Sequence, residues 1–156
     1  MWRRNHHTRQ FIDRLRATSL FCDCSENELR LIASLLTEVW LKTGRVLTRQ
    51  DSVGSECFII LSGHAVVEHD GALVGHAVAG SVVGELALMG AITRTATVTA
   101  ATDVQLLVMS RTEFATLRAL GIHSVDRRLE AAAADHRAGL ARVAAHRTAP
   151  IRAGRT

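Results

Sequence analysis

The sequence predicts a mainly β chain: an antiparallel β-roll, jelly-roll-like, with helices ahead of it and two C-terminal helices behind. Three observations carry that expectation. Eight of the eleven glycines fall between residues 44 and 90, a density of turns that suits antiparallel strands better than strands joined by crossover helices. Between those glycines stand short apolar and β-branched runs: Val39 with Leu41, Val46-Leu47, Cys57-Phe58-Ile59-Ile60-Leu61, Ala65-Val66-Val67, Leu73-Val74 and Val78. On either side of that region the apolar spacing becomes three and four, the period of a helix packed along one face.

Each element has a local reason. Phe11, Ile12, Leu15 and Leu20 space as a short amphipathic helix. Ser25 and Glu28 form a capping box, in which each side chain satisfies the other residue's backbone N–H, and the helix they start buries Leu29, Ile32, Ala33 and Leu36. His69-Asp70-Gly71 reads as a hairpin turn, because Asp-Gly accepts positive φ. Thr95, Thr97 and Thr99 alternate with Ala96, Val98 and Ala100, as a half-buried strand requires, and Asp103 opens another strand from Val104 to Met109. Ser110 and Glu113 repeat the capping box for a helix that ends near Gly121. Ser124 starts the last helix, along which Val125, Leu129, Ala132, His136, Leu140 and Val143 make a seam for packing or pairing. The expected organisation is a basic segment with a short helix over 1–19, the β-roll with its flanking helices over 20–121, a lid or dimerisation helix over 122–147, and a disordered tail over 148–156.

Composition bounds the function. A chain of 156 residues with 47% hydrophobic residues suits one domain with a real core. No apolar run approaches the roughly 20 residues of a membrane helix, and the basic start, Met1 to His7, leads into no apolar leader segment. Three cysteines make no disulfide framework, so a cytoplasmic location is expected. The net charge of +4 is unevenly laid out. Residues 1–16 and 137–156 hold five arginines each, while the stretch between carries more acid than base. A DNA reader would gather basic residues on a recognition helix; here they sit at the two ends.

The chemistry concentrates in Gly84-Glu85-Leu86-Ala87-Leu88 followed by Arg94-Thr95-Ala96-Thr97-Val98. Glycine allows close backbone approach, and a helical turn starting there aims unpartnered N–H groups outward. Arg94 offers a full positive charge on a planar fork that matches two phosphate oxygens. Glu85 would be repelled by a phosphate unless it turned toward a donor, and a ribose hydroxyl is such a donor. Together these residues ask for a nucleotide of low charge.

These two half-motifs, at this spacing, resemble the cyclic nucleotide-binding domain family, the sensor module of bacterial catabolite activators, kinase regulatory subunits and cyclic nucleotide-gated channels. The resemblance runs from about Leu20 to Arg137 and includes Gly44, Gly54, Gly63 and Gly80 at turns that the family uses. Two departures stand out: Gln50, ahead of Asp51, where a glycine is common, and Val83, where an aromatic often precedes Gly84. The resemblance implies that Arg94 grips the cyclic phosphate and Glu85 accepts the ribose 2′-hydroxyl. It also implies that Gly84, Leu86, Ala87 and Ala96 lend backbone N–H groups. Thr95 would reach the phosphate or a guanine amino group, and His136 or Arg137 on the last helix would cover the base. Cyclic AMP is expected ahead of cyclic GMP.

Other chemistries find little support. Cys22, Cys24 and Cys57 lack the paired spacing of a zinc site, and His64, His69 and His76 lack the paired histidines and carboxylate of a cupin-like metal centre. No serine or cysteine sits in a nucleophile elbow. The expectation is therefore a stand-alone cyclic-nucleotide sensor that is not an enzyme and needs neither metal nor cofactor. Ligand would close the C-terminal helices about a hinge near Gly121. Output would pass to an unknown protein partner or through a homodimer built on the 125–143 helix, because no DNA-binding segment follows. The alternative is a structural or protein-interaction module of the same fold that holds no nucleotide.

Overall fold

A computed structural model describes residues 9–90 and 93–148 of the chain, with side chains through residue 142. Two short helices, α1 (Arg9–Arg16) and α2 (Glu26–Leu35), precede eight strands. The strands are β1 (Thr37–Leu41), β2 (Val46–Thr48), β3 (Glu56–Ser62), β4 (Ala65–His69), β5 (Ala72–Ala77), β6 (Val82–Val83), β7 (Thr97–Ala100) and β8 (Val104–Ser110). A 3₁₀ turn at Glu85–Ala87 separates β6 from β7, and α3 (Arg111–Ala119) and α4 (Ser124–Thr148) close the chain. The strands form two antiparallel four-stranded sheets, ordered β1-β8-β3-β6 and β2-β7-β4-β5.

The continuous apolar run of β3 follows from its place between two layers. Cys57, Ile59 and Leu61 face the helices, in one cluster with Phe11, Leu15, Phe21, Leu29, Leu117 and Leu129. Ile60 and Phe58 point the other way, into the roll. β8 divides likewise: Leu107 and Met109 meet the helices, while Val104 and Leu106 pack inside. A strand buried on both faces has no solvent side on which to place polar residues. Gln105 is the exception at 3% exposed. Its amide oxygen accepts from Arg14 Nη1 at 2.8 Å, its amide nitrogen donates to Glu38, and α1 is thereby fastened to the sheet.

Both capping boxes form, at Ser25–Glu28 and Ser110–Glu113. The β4–β5 hairpin turns on Asp70 (φ 50°) and Gly71 (φ 79°), two positive-φ residues in a two-residue loop. Three expectations need correction. Helix α1 stops at Arg16, and Leu20, although buried, lies in the turn beyond it. Val78 lies past the end of β5 and is 53% exposed. The threonine-rich strand begins at Thr97 rather than Thr95. At the turn where the family often has glycine, Asp51 takes the left-handed conformation (φ 67°), which a short polar side chain tolerates. Gln50 has a separate role. Its side chain donates to Asp70 Oδ1 at 2.6 Å and accepts from Asp70 N at 2.7 Å, clamping the hairpin. The basic segment over 1–8 and the tail from 149 onward lie outside the described residues.

A buried carboxylate, an arginine and a helical roof

Gly84 holds the cassette open. It adopts φ 77° and ψ 21°, and the 3₁₀ turn starts at once from it. A left-handed residue there reverses the chain after β6 and brings Glu85 inward, where the residue is only 3% exposed. Leu86 and Leu88 are buried beside it. The Ala87 N–H is bonded to the Gly84 carbonyl at 3.2 Å, so of the N–H groups expected to face a ligand this one is already engaged. On the far side of the turn, Arg111 Nε donates to the Ala87 carbonyl at 2.8 Å, tying the cassette to the start of α3.

Arg94 enters from the opposite strand connection. Its backbone is pinned by Asp51 N to Arg94 O and by Arg94 N to Ser52 O, both at 2.8 Å. Its guanidinium lies 5.7 Å from the Phe58 ring centre and bonds weakly to the Gly84 carbonyl, 3.4 Å from Nη1. No carboxylate among the described residues forms an ion pair with it. Burial pushes its pKa down, and the nearby carboxylates of Glu56 and Glu85 work the other way. A half-buried guanidinium with so little compensation is poised for an anion.

The roof of the site is α4. Its Val125, Leu129 and Ala133 are buried in the core, and one turn on it reaches across the cassette. His136 Nδ1 stands 2.7 Å from Glu85 Oε1, and its Nε2 stands 2.7 Å from Thr95 Oγ1. The carboxylate accepts from Nδ1–H, which leaves Nε2 facing the hydroxyl. Beneath this bridge lies a cavity of about 450 Å³, walled by Val67, Val83 and Val98 and by Glu85, Arg94 and Thr95, with Ala132 and Leu140 of α4 above. Gly84 and Ala96 also line it.

Leu86 and Ala87 are buried off the cavity wall, whereas Gly84, Glu85, Arg94, Thr95, Ala96 and His136 gather on it. Arg137 does not join them: one step around the helix from His136, it is exposed and off the cavity wall. The seam expected for packing or pairing turns inward. Through Leu140 it faces the chain's own core and cavity, and the Val143 side chain lies outside the described residues. Sequence reasoning missed the bond between His136 and Glu85, which lie 51 positions apart; no local pattern announces it. The metal readings do not assemble. Cys24 faces Ser124 and Cys57 is in the core. His69 is bonded to the Thr95 carbonyl, and no group of three metal-binding side chains occurs among the described residues.

Comparison with known proteins agrees with this fold. The family model described as cyclic nucleotide-binding domain matches residues 38–119. The cGMP-dependent protein kinase egl-4 of Caenorhabditis elegans is 37% identical over 83 residues, which are 53% of this chain and 11% of the kinase. The chain therefore spans about a tenth of the curated relatives it matches. The solved structure of cAMP-bound PfPKA-R superposes with a TM-score of 0.77 at 22% identity, covering 86% of this chain and 46% of that one. A cyclic nucleotide-binding domain from Methylobacillus flagellatus gives a TM-score of 0.76 at 19% identity, over 92% of this chain and 88% of that one. At those identities the two structures speak for the fold.

Proposed function

The chain belongs to the cyclic nucleotide-binding domain family, and we propose that it is a stand-alone cyclic-nucleotide receptor that takes cyclic AMP ahead of cyclic GMP, acting by binding rather than by catalysis. One observation carries the reading. Glu85, Arg94 and Thr95 converge on a single cavity large enough for a nucleotide, with α4 as one of its sides. In this reading the cyclic phosphate meets Arg94, whose guanidinium gains the anion it lacks. The ribose 2′-hydroxyl donates to Glu85, and the purine lies between Val67, Val83 and α4. A carboxylate and a phosphate then occupy one pocket without conflict, because each has its own partner.

The output is a change in α4 read by a protein partner. A ligand shifts that helix only by binding one of its positions better than another. Two links support the idea: His136 joins α4 to Glu85, and Arg111 joins the cassette to α3.

Cyclic GMP is the second reading. The Thr95 hydroxyl lines the cavity, within reach of a guanine amino group, and the curated relative is a cGMP-dependent kinase.

Isothermal titration of the full chain with cyclic AMP, cyclic GMP and 5′-AMP decides the matter. Binding of a cyclic nucleotide, tightest for cyclic AMP and absent for 5′-AMP, is the expected result. Silence toward both cyclic nucleotides would sink the receptor reading in favour of a protein-interaction module.

A further inference from the structure

We propose that His136 is an internal occupant of the ligand cavity: in the empty chain it latches the outer half of α4 to the cassette, and a cyclic nucleotide binds by displacing it. The idea rests on the receptor reading above and gives one residue of that site a role opposite to the cap expected from the sequence.

The argument starts from Glu85. A carboxylate at 3% exposure needs a charge-assisted partner. Its partner here is the His136 imidazole at 2.7 Å, with the Thr95 hydroxyl at the same distance from the far ring nitrogen. The ring therefore spans the two walls between which a ribose and its cyclic phosphate would sit. A nucleotide whose 2′-hydroxyl is to reach Glu85 needs both that carboxylate lone pair and that volume. Ring and sugar exclude each other.

The way α4 is attached makes the latch releasable. Its first half is anchored by buried Val125, Leu129 and Ala133, and by Arg128 Nε donating to Asp23 Oδ2 at 2.7 Å. From Ala134 to Arg142 no residue is buried. Over that stretch the two bonds of His136 are the hydrogen bonds that join the helix to the roll among the described residues. Losing them frees the outer half and leaves the inner half in place. An apparent affinity is reduced by the fraction of molecules in the competent state, so a latch closed nine times in ten weakens binding about tenfold.

The test compares the wild-type chain with His136→Ala and with His136→Phe, which keeps the ring's bulk but neither bond. Hydrogen exchange is measured on the empty proteins, then cyclic AMP and cyclic GMP are titrated. Amides over 134–142 should exchange at least about tenfold faster in both variants, with those over 125–133 unchanged. His136→Ala should bind cyclic AMP roughly tenfold tighter than wild type. Unchanged exchange in both variants, or protection kept in His136→Phe, overturns the latch. Weaker nucleotide binding by His136→Ala overturns displacement, because the imidazole would then be touching the ligand. If no protein binds either nucleotide, the receptor reading and the displacement step fall together, and exchange alone still decides the latch.

Discussion

Gly54 and Arg94 face each other so closely that a methyl group on Gly54 would overlap the guanidinium. Gly84 closes the other side, where an added methyl would stand 2.5 Å from Arg94 Nη1 and 3.1 Å from the Glu56 carbonyl. The arginine is thus held in a slot made by two absent side chains, forty and ten positions away in sequence. The two glycines differ in kind. Gly84 has φ 77°, so any side chain there also strains the backbone. Gly54 has no such demand, and the atoms nearest an added methyl there all belong to the guanidinium.

Gly54→Ala should therefore leave the fold intact and move Arg94. We expect a melting temperature within about 2 °C of wild type, since roughly 1 kcal/mol corresponds to about 2–4 °C in a domain of this size. Affinity for cyclic AMP should fall at least about tenfold, the value of one displaced charged hydrogen bond. Calorimetry and thermal melting on the same preparation check both halves. Unchanged affinity would show that the slot does not position the guanidinium.

Arg94→Met separates binding from stability. Burial lowers the Arg94 pKa, so its charged form is less favoured in the folded chain than in the unfolded one. Across the neutral range both states carry the charge, and the cost to folding is present throughout; it would fade only as pH rose through the arginine range. Replacing the side chain with an apolar one should leave the empty protein at least as stable as wild type. Cyclic-nucleotide affinity should drop by about two to four decades, the consequence of about 3–5 kcal/mol for an unpaired buried charge. Urea melts with and without ligand provide the test.

The cysteines should label in a fixed order. Cys22 is exposed, Cys24 is buried beside Ser124, and Cys57 is fully buried. Burial raises the thiol pKa of Cys24 and, far more strongly, that of Cys57, where the Glu85 charge adds to the effect. Because the thiolate is the nucleophile, iodoacetamide at pH 8 should modify Cys22 first and Cys57 only on unfolding. Peptide mass spectra over a time course would show whether Cys57 reacts early, which would contradict its burial.

Ser110→Ala removes the cap of α3 and should cost about 1 kcal/mol, a fall of about 2–4 °C in melting temperature. Ser25→Ala, at the start of α2, should cost a similar amount. These caps lie outside the cavity, so nucleotide affinity should change by less than about twofold. A larger change for Ser110→Ala would place the start of α3 within the binding equilibrium.

What could be read from the residues alone was whatever closes within a few positions. The capping boxes span four residues, the Asp70-Gly71 turn two, and both were legible because their chemistry is complete within the segment. The double-faced strand Cys57–Leu61 could be recognised as β, although which residue faces which layer waits on the second sheet. The cassette was readable as an anion site because Gly84, Glu85 and Arg94 lie near each other in the chain. Two-residue β6 carries too little pattern to be seen. The end of α1 was misplaced because Leu20 is buried in a turn, and burial alone cannot tell a turn from a helix. The bonds of His136 and the slot beside Gly54 join distant segments, and only the folded chain brings their atoms together.

The carbonyl of Ala87, held by Arg111, belongs to the same short turn that carries Glu85. In the proposed receptor, whatever draws that turn toward the cavity would pull on the first residue of α3 and would also disturb the bond from His136 of α4. An event confined to one sugar hydroxyl would in this way be felt at two places on the surface at once. A protein reading either helix would receive the same message.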